Sequence, residues 1–405
     1  MSAGLPGGAG PFRVTAGDPS QGARAGLLRT PHGEVPTPAF MPVGTHAAVR
    51  ACHPEEVAAS GAGMLLANAL HLALRPGSAR IARLGGLHAF MGWPRPILTD
   101  SGGYQLISLA RLSQVDDDGV VVRSPYDGAR LHLTPARAIA IQLELGADVC
   151  MALDHPVPFG ADAETAAAAT RRTHAWAARC REVPAGDRLV FGIVQGGFDP
   201  ESRSASAAAV SRLGFDGHAL GGLVLGEPPA VRRAAIAAVL GALPPGPARY
   251  LMGLATDRDL LDAVEQGVDL FDCVLPTRLA RNGVALTGRG RLSLRQPRFA
   301  ADASPLEEGC DCPACERFSR AYLRHGFQGG EILVHRLLSL HNLHHLGTLM
   351  AEVRSAIAAG TLAALRRRRL AMLAAGAKAG AERRAAPPYN GAPSRGAAGP
   401  PLHEE

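Results

Sequence analysis

Eight short apolar runs, each closing on a polar residue or a glycine, constrain the fold of this 405-residue chain more than any other feature. They cover residues 39–43, 64–67, 96–99, 149–153, 189–194, 219–220, 250–252 and 268–271. Runs this short and this continuously apolar suit strands buried on both faces. The stretches at 54–60, 135–145, 164–181, 201–213, 228–243 and 257–266 carry helical character, and several open on proline or acidic residues, as helix starts do. Eight strands alternating with helices predict an α/β chain closed into a (β/α)8 TIM barrel, with a doubly wound open sheet as second choice. In both folds the side chains that do chemistry gather beyond the carboxyl ends of the strands.

Those ends carry the most reactive groups of this sequence. Asp100 closes the third run and is followed by Ser101, Gly102, Gly103 and Tyr104; Asp154 closes the fourth run, Gln195 the fifth, Gly221-Gly222 the sixth and Asp272 the eighth. Two carboxylates on different strands, Asp100 and Asp272, suit substitution at the anomeric carbon of a sugar. One attacks and forms a covalent glycosyl intermediate, and the other shuttles protons to and from the departing base. Neither role needs a cofactor. The glycines let backbone amides approach a ligand, Tyr104 can stack on a planar ring, and Asp154 and Gln195 offer an acceptor and a donor to the edge of a purine-like heterocycle.

The eighth run is not followed directly by its helix. Residues 278–298 are rich in glycine and arginine, Cys310, Cys312 and Cys315 come next, and a helical pattern resumes only at about 331–357. Three thiolates at this spacing read as a metal site that staples an inserted segment lacking a core of its own. The fourth ligand is open among His335, His341, His344 and His345, and four protein ligands make such a zinc ion structural. The expected organisation is therefore an N-terminal cap segment over 1–38, a barrel over 39–360 with a zinc-binding insertion at about 296–345, and a tail over 361–405. That tail reads as a frayed helix running into disorder, its arginines 366–369 a solvated face with no part in the site. No leader and no long apolar span is visible, which predicts a cytoplasmic protein that does not enter a membrane. The net charge of +6 favours an anionic partner.

Taken together, these motifs resemble the tRNA-guanine transglycosylases in their bacterial form. The resemblance runs from about residue 12 to residue 360 and rests on Thr99-Asp100-Ser101-Gly102-Gly103-Tyr104-Gln105, Phe191-Gly192-Ile193-Val194-Gln195-Gly196, and Gly221-Gly222-Leu223 through Glu227. It rests further on Phe271-Asp272-Cys273-Val274-Leu275-Pro276-Thr277-Arg278, and on the cysteine cluster with a later His341-Asn342 pair. It implies a pentosyltransferase that exchanges the wobble guanine of tRNAs with a GUN anticodon for a free 7-deazaguanine, a step of queuosine biosynthesis. Asp272 would be the nucleophile and Asp100 the general acid/base. Tyr104 and Met252 would sandwich the base beside Ser101, while Asp154, Gln195 and Gly222 read its edge. The peptide after Leu223, supported by Glu227, would face the substituent of the deazapurine. Arg278, Arg281 and Asn282 would grip the anticodon loop, His341 would complete the zinc site, and the protein would be a homodimer.

The chain departs from the family in reading His155-Pro156-Val157-Pro158 where bacterial members usually read Glu-Cys-Thr-Pro, so Pro156 replaces a cysteine of the base pocket. His155 itself reads as a solvent-facing loop residue. Leu225 stands where queuine-accepting relatives carry glycine, which shortens the pocket and favours 7-aminomethyl-7-deazaguanine. The alternatives are a queuine-accepting enzyme or a non-catalytic tRNA-binding subunit. The second would lack Asp272.

Overall fold

The structure, a computed structural model, describes residues 10–17, 22–103 and 110–385. Eight parallel strands close into a barrel in the order Ala39–Gly44, Leu65–Ala67, Ile97–Thr99, Val149–Met151, Leu189–Val194, Gly217–Leu220, Ala248–Leu251 and Leu270–Cys273, the last pairing back onto the first. Each of the eight expected runs is one of these strands. Closure leaves no strand edge unpaired. Met41, Leu66, Met151, Phe191 and Tyr250 fill the interior, whereas Leu65, Ile97, Cys150 and Phe271 join an outer layer with helix residues such as Ile139 and Trp176. The helices start where side-chain oxygens cap them: Thr134 accepts from the Arg137 amide at 3.2 Å, Asp162 from Thr165 at 2.8 Å and Asp199 from Ser202 at 2.8 Å.

The amino end of the barrel is plugged by an antiparallel sheet of Phe12–Gly17, Arg24–Thr30 and Gly33–Thr37. Phe12, Leu28 and Val35 enter the barrel interior. Arg24, fully buried, donates through Nε and Nη2 to both oxygens of Asp269 at 2.9 and 2.6 Å and through Nη2 to the Pro247 carbonyl at 2.8 Å. Because Asp269 immediately precedes the eighth strand, this bidentate pair fixes the plug to the strand that ends in Asp272.

Three features differ from the sequence reading. Between the third strand and the helix Pro135–Leu145 lies an antiparallel sheet of Ser113–Val115, Val120–Arg123 and Arg130–Leu133, docked by the Trp176 indole donating to the Asp117 carbonyl at 2.9 Å. The eighth strand is followed at once by a short helix, Leu275–Arg281, and a hairpin of Val284–Thr287 and Gly290–Ser293, before the long helix Ile332–Ala358. The expected fraying after 361 is replaced by a helix over Leu362–Ala385. Arg366 pairs with Asp262 at 2.5 Å, and Arg369 and the more exposed Arg368 both pair with Glu352, at 2.8 and 3.1 Å, so three of the four arginines have carboxylate partners. Residues 386–405 lie outside the described residues. Among the described residues, no helix is long and apolar enough to cross a membrane.

Candidate active site

The eighth strand delivers Asp272 to the mouth of the barrel, half-buried. Its Oδ1 accepts from the Tyr250 hydroxyl at 2.7 Å and from the Gly253 amide at 2.9 Å. Both bonds converge on one oxygen. Oδ2 takes part in neither bond. Burial pushes the Asp272 carboxyl up and the charge of Asp100 pushes it further, while the bonds from Tyr250 and Gly253 oppose them. Asp100, at the end of the third strand and 6% exposed, accepts from the Ala69 amide at 2.7 Å and the Asn68 side chain at 2.5 Å. These donors belong to the first turn of the helix Ala69–Leu74, whose amide ends favour a carboxylate. Neither Tyr250 nor Asn68 was assigned a role from sequence. The signal for Asn68 was its place after the second run, whereas Tyr250 opens the seventh run and carried no such signal.

A second group lies beyond the fourth, fifth and sixth strands. Asp154 accepts from the Ser101 hydroxyl at 3.0 Å and from Gln195 Nε2 at 2.7 Å, which leaves each carboxylate oxygen with further acceptor capacity. Burial lifts its carboxyl to about 6, with Asp100 adding to the rise. Gln195 is 1% exposed, and its Oε1 has no hydrogen-bond partner among the described residues. A buried acceptor without a donor costs free energy until a ligand N–H or O–H meets it. The backbone around it tolerates no side chain: a Cβ on Gly222, whose φ is +65°, would collide with Gln195 Oε1, and one on Gly103 would collide with the Asp154 carboxylate. Buried Arg203 supports this wall by donating to the carbonyls of Gly197 and Gly221, both at 2.7 Å, a role that no sequence motif signalled. Replacing Gly222 with alanine is expected to displace the Gln195 side chain and lower catalytic efficiency by about 100-fold, read by initial rates.

Past the sixth strand, Glu227 accepts from the Val224 and Leu225 amides, each at 2.9 Å. The peptide is trans, so the Leu223 carbonyl points away from Glu227. Val224 holds a φ of +62°, a conformation that branched side chains avoid, so the loop is fixed by Glu227 rather than by local preference. Leu223 is buried and Met252 is half-buried against the barrel interior. Tyr104 lies outside the described residues. His155 is not the solvent-facing residue expected: it is half-buried, its Nδ1 meets Arg172 at 3.1 Å, its ring lies 6.1 Å from that of Trp176, and burial lowers its pKa to about 4.

On the helix after Asp272, Arg278 and Asn282 are exposed. Arg281 is half-buried and donates to the Thr277 carbonyl at 3.0 Å. Burial and the neighbouring charges of Arg50 and Arg278 lower its pKa, so Arg50 belongs to the same basic rim. Arg295 and Arg298 are instead engaged within the insertion, stacked over Phe327 and Phe299 at 5.2 and 4.5 Å.

The insertion brings Cys310, Cys312, Cys315 and His341 together, with Sγ to Nδ1 distances of 3.7, 3.4 and 3.4 Å. Tetrahedral zinc bonds to sulfur and imidazole imply an S···N separation of about 3.6 Å, so the donor set fits such an ion. His341 Nε2 lies 2.8 Å from the Leu286 carbonyl, which can only accept, so Nε2 carries the proton and the Nδ1 lone pair faces the sulfurs. Asn342 next to it donates to Pro276 and Val284 carbonyls at 2.9 and 3.1 Å and accepts from Leu286 at 2.7 Å. The helix that carries His341 is thus tied to the turn that follows Asp272.

Of the other candidate histidines, His344 pairs with Asp311 at 2.8 Å, and His345 is clamped between Asp257 at 3.0 Å and Glu307 at 3.6 Å. Burial lowers the pKa of His345, but its two carboxylates outweigh that and raise it to about 9. A raised histidine contributes stability that is fully present below its unfolded pKa of about 6.5 and is lost as the pH rises through the folded value. The gap in unfolding free energy between the wild type and His345→Gln is therefore expected to be wide at pH 6.5, on the order of 3 kcal/mol, and to narrow through pH 9, as denaturant titrations would read.

The family described as Queuine tRNA-ribosyltransferase matches residues 18–375. A queuine tRNA-ribosyltransferase of Moorella thermoacetica is 49% identical over 352 residues, 87% of this chain and 94% of that protein. Those of Sorangium cellulosum and Gluconacetobacter diazotrophicus are 51% and 50% identical, over 85% and 84% of this chain and 88% and 89% of their own lengths.

Proposed function

The chain belongs to the queuine tRNA-ribosyltransferase family and is a tRNA-guanine transglycosylase, and we propose that it installs 7-aminomethyl-7-deazaguanine by double displacement on Asp272. Asp272 Oδ2 attacks C1′ of the extruded wobble nucleotide. The C1′–N9 bond breaks, and the departing guanine takes a proton by way of Asp100. The incoming base then loses its N9 proton to Asp100 and attacks C1′ from the other face, releasing the Asp272 carboxylate. The observation that carries this reading is the orientation of Asp272 by Tyr250 and Gly253, in the mouth that also holds the Asp154, Gln195 and Gly222 pocket. Asp154 would accept N–H groups of the base edge, and Gln195 Oε1 is a further buried acceptor beside it.

The Leu223 carbonyl, turned away from Glu227, would accept from an aminomethyl ammonium, and half-buried Leu225 leaves less room for the cyclopentenediol of queuine. Incorporation of labelled guanine into unmodified tRNA, competed by either base, tests this. The small base should compete far better, and equal competition would contradict the assignment. Because Asp154 must be ionised to accept, KM for the free base should rise as the pH falls through about 6. A flat profile there would remove Asp154 from base recognition.

Zinc held by Cys310, Cys312, Cys315 and His341 would be structural, since four protein ligands leave no position for a reactant. A homodimer is part of the same proposal. The insertion leaves Tyr322, Ile332 and Leu333 exposed, apolar area of the kind subunit interfaces cover, and a monomer mass in light scattering would contradict it.

A further inference from the structure

The antiparallel sheet inserted after the third strand has a polar turn at its tip, built on Ser124, whose carbonyl accepts from Gly128 at 3.0 Å and whose hydroxyl accepts from Tyr126 at 3.2 Å. In that turn Tyr126 is 44% exposed, an aromatic ring that does not contribute to the core. Its partner is a cation: the Arg75 guanidinium lies 5.5 Å from the ring centroid. Arg75 caps the helix Ala69–Leu74, the same helix whose first turn holds Asp100. The Tyr126–Arg75 pair therefore stands at the far end of that helix from Asp100, about 9 Å along its axis.

From there basic groups lead back toward Asp272. His71, on that helix, meets exposed His46 edge-on at 5.2 Å. The charges of Arg50 and Arg75 both bear on His46, and Arg50 also bears on Arg281. Arg75, Arg50, Arg281 and Arg278 thus form one basic arc that ends beside the nucleophile, with His46, whose pKa burial and these neighbours lower, as a hydrogen-bonding group between Arg75 and Arg50. An arc of cations with an exposed aromatic ring at one end is the pattern by which proteins hold single-stranded nucleic acid, phosphates along the cations and a base on the ring. Expelling one nucleotide from a loop unstacks its neighbour, which then needs a new surface.

We propose that Tyr126, backed by Arg75, is a stacking platform for the unpaired anticodon-loop base adjacent to the extruded guanine, with His46 and Arg50 on the intervening phosphates. This rests on the tRNA exchange reading above and adds a contact to it. The test is steady-state exchange on unmodified tRNA. Tyr126→Ala should raise KM for tRNA about 10-fold, as expected for one lost base stack, with kcat and KM for the free base unchanged. Tyr126→Phe should restore wild-type KM, because stacking needs the ring and not the hydroxyl. A structural role would not separate KM from kcat in this way.

Tyr126→Trp gives a second readout that does not depend on turnover or on the alanine variant folding. Trp93 and Trp176 are 1% and 0% exposed, so a new indole at 126 dominates the solvent-sensitive fluorescence. Its emission should be quenched on binding a stem-loop RNA, with binding itself followed by anisotropy of labelled RNA. Bound RNA without quenching, or a tRNA KM for Tyr126→Ala within twofold of wild type, overturns the platform. A folded wild type that binds RNA but does not exchange guanine, beside a Tyr126→Trp variant whose indole is quenched on binding RNA, would instead defeat the exchange reading and leave the platform standing.

Discussion

Replacing Asp272 with asparagine is expected to abolish guanine exchange, by at least about 1000-fold, while the protein remains folded. The amide oxygen can still accept from Tyr250 and Gly253, whose bonds converge on Oδ1, so the side chain keeps its position. What changes is the attacking atom: an amide nitrogen stands where Oδ2 would be, and it cannot displace the base. Stability should move in the opposite direction. Burial raises the Asp272 carboxyl above its unfolded value, so above that value the ionised carboxylate destabilises the fold, and neutral asparagine relieves this. An inactive variant with an unchanged or higher Tm at pH 7 is the expected result. Normal turnover by Asp272→Asn removes it from the chemistry, whereas loss of activity together with collapse of Tm makes it a structural residue.

The second large effect concerns the insertion. Cys312→Ala, or removal of the metal by a chelator, is expected to destabilise the protein by at least about 3 kcal/mol, a fall in Tm of about 3 °C or more. The apolar cluster there is small, drawing on Ala285, Leu294, Leu306, Leu323 and Leu338 around the cysteines themselves. Without the ion, three thiols converge on one imidazole with no atom to hold them. The consequence should reach the active site, because His341 and Asn342 fasten the hairpin and the Pro276 turn to one helix. Metal loss should thus lower kcat as well as Tm, and restoring zinc to the wild type should recover both. A variant that keeps its Tm after complete metal removal contradicts the staple.

Which parts were legible follows from how local their causes are. All eight barrel strands could be read because a strand buried on both faces is apolar throughout and each run stops at a polar or glycine residue. The same stops mark Asp100, Asp154, Gln195 and Asp272. The sheet over 113–133 was missed because its strands are three or four residues long and sit beside Asp116-Asp117-Asp118. It is held by distant groups: Trp176, and Arg172 on Asp117 at 2.9 Å. The arginines after residue 361 looked solvated because their partners, Asp262 and Glu352, are set by tertiary packing. Tyr250 shows the same limit within the site. Its position in the barrel interior was readable, but the carboxylate it orients lies 22 residues further along and one strand over.

The measurement closest to the central claim is capture of the intermediate itself. Wild-type protein turning over unmodified tRNA, quenched in denaturant, should yield a protein–RNA adduct on a denaturing gel, and peptide mapping should place the ribosyl ester on Asp272. The adduct should be absent from Asp272→Asn. An exchange-competent wild type that forms no adduct, or forms it on another residue, would contradict double displacement on Asp272.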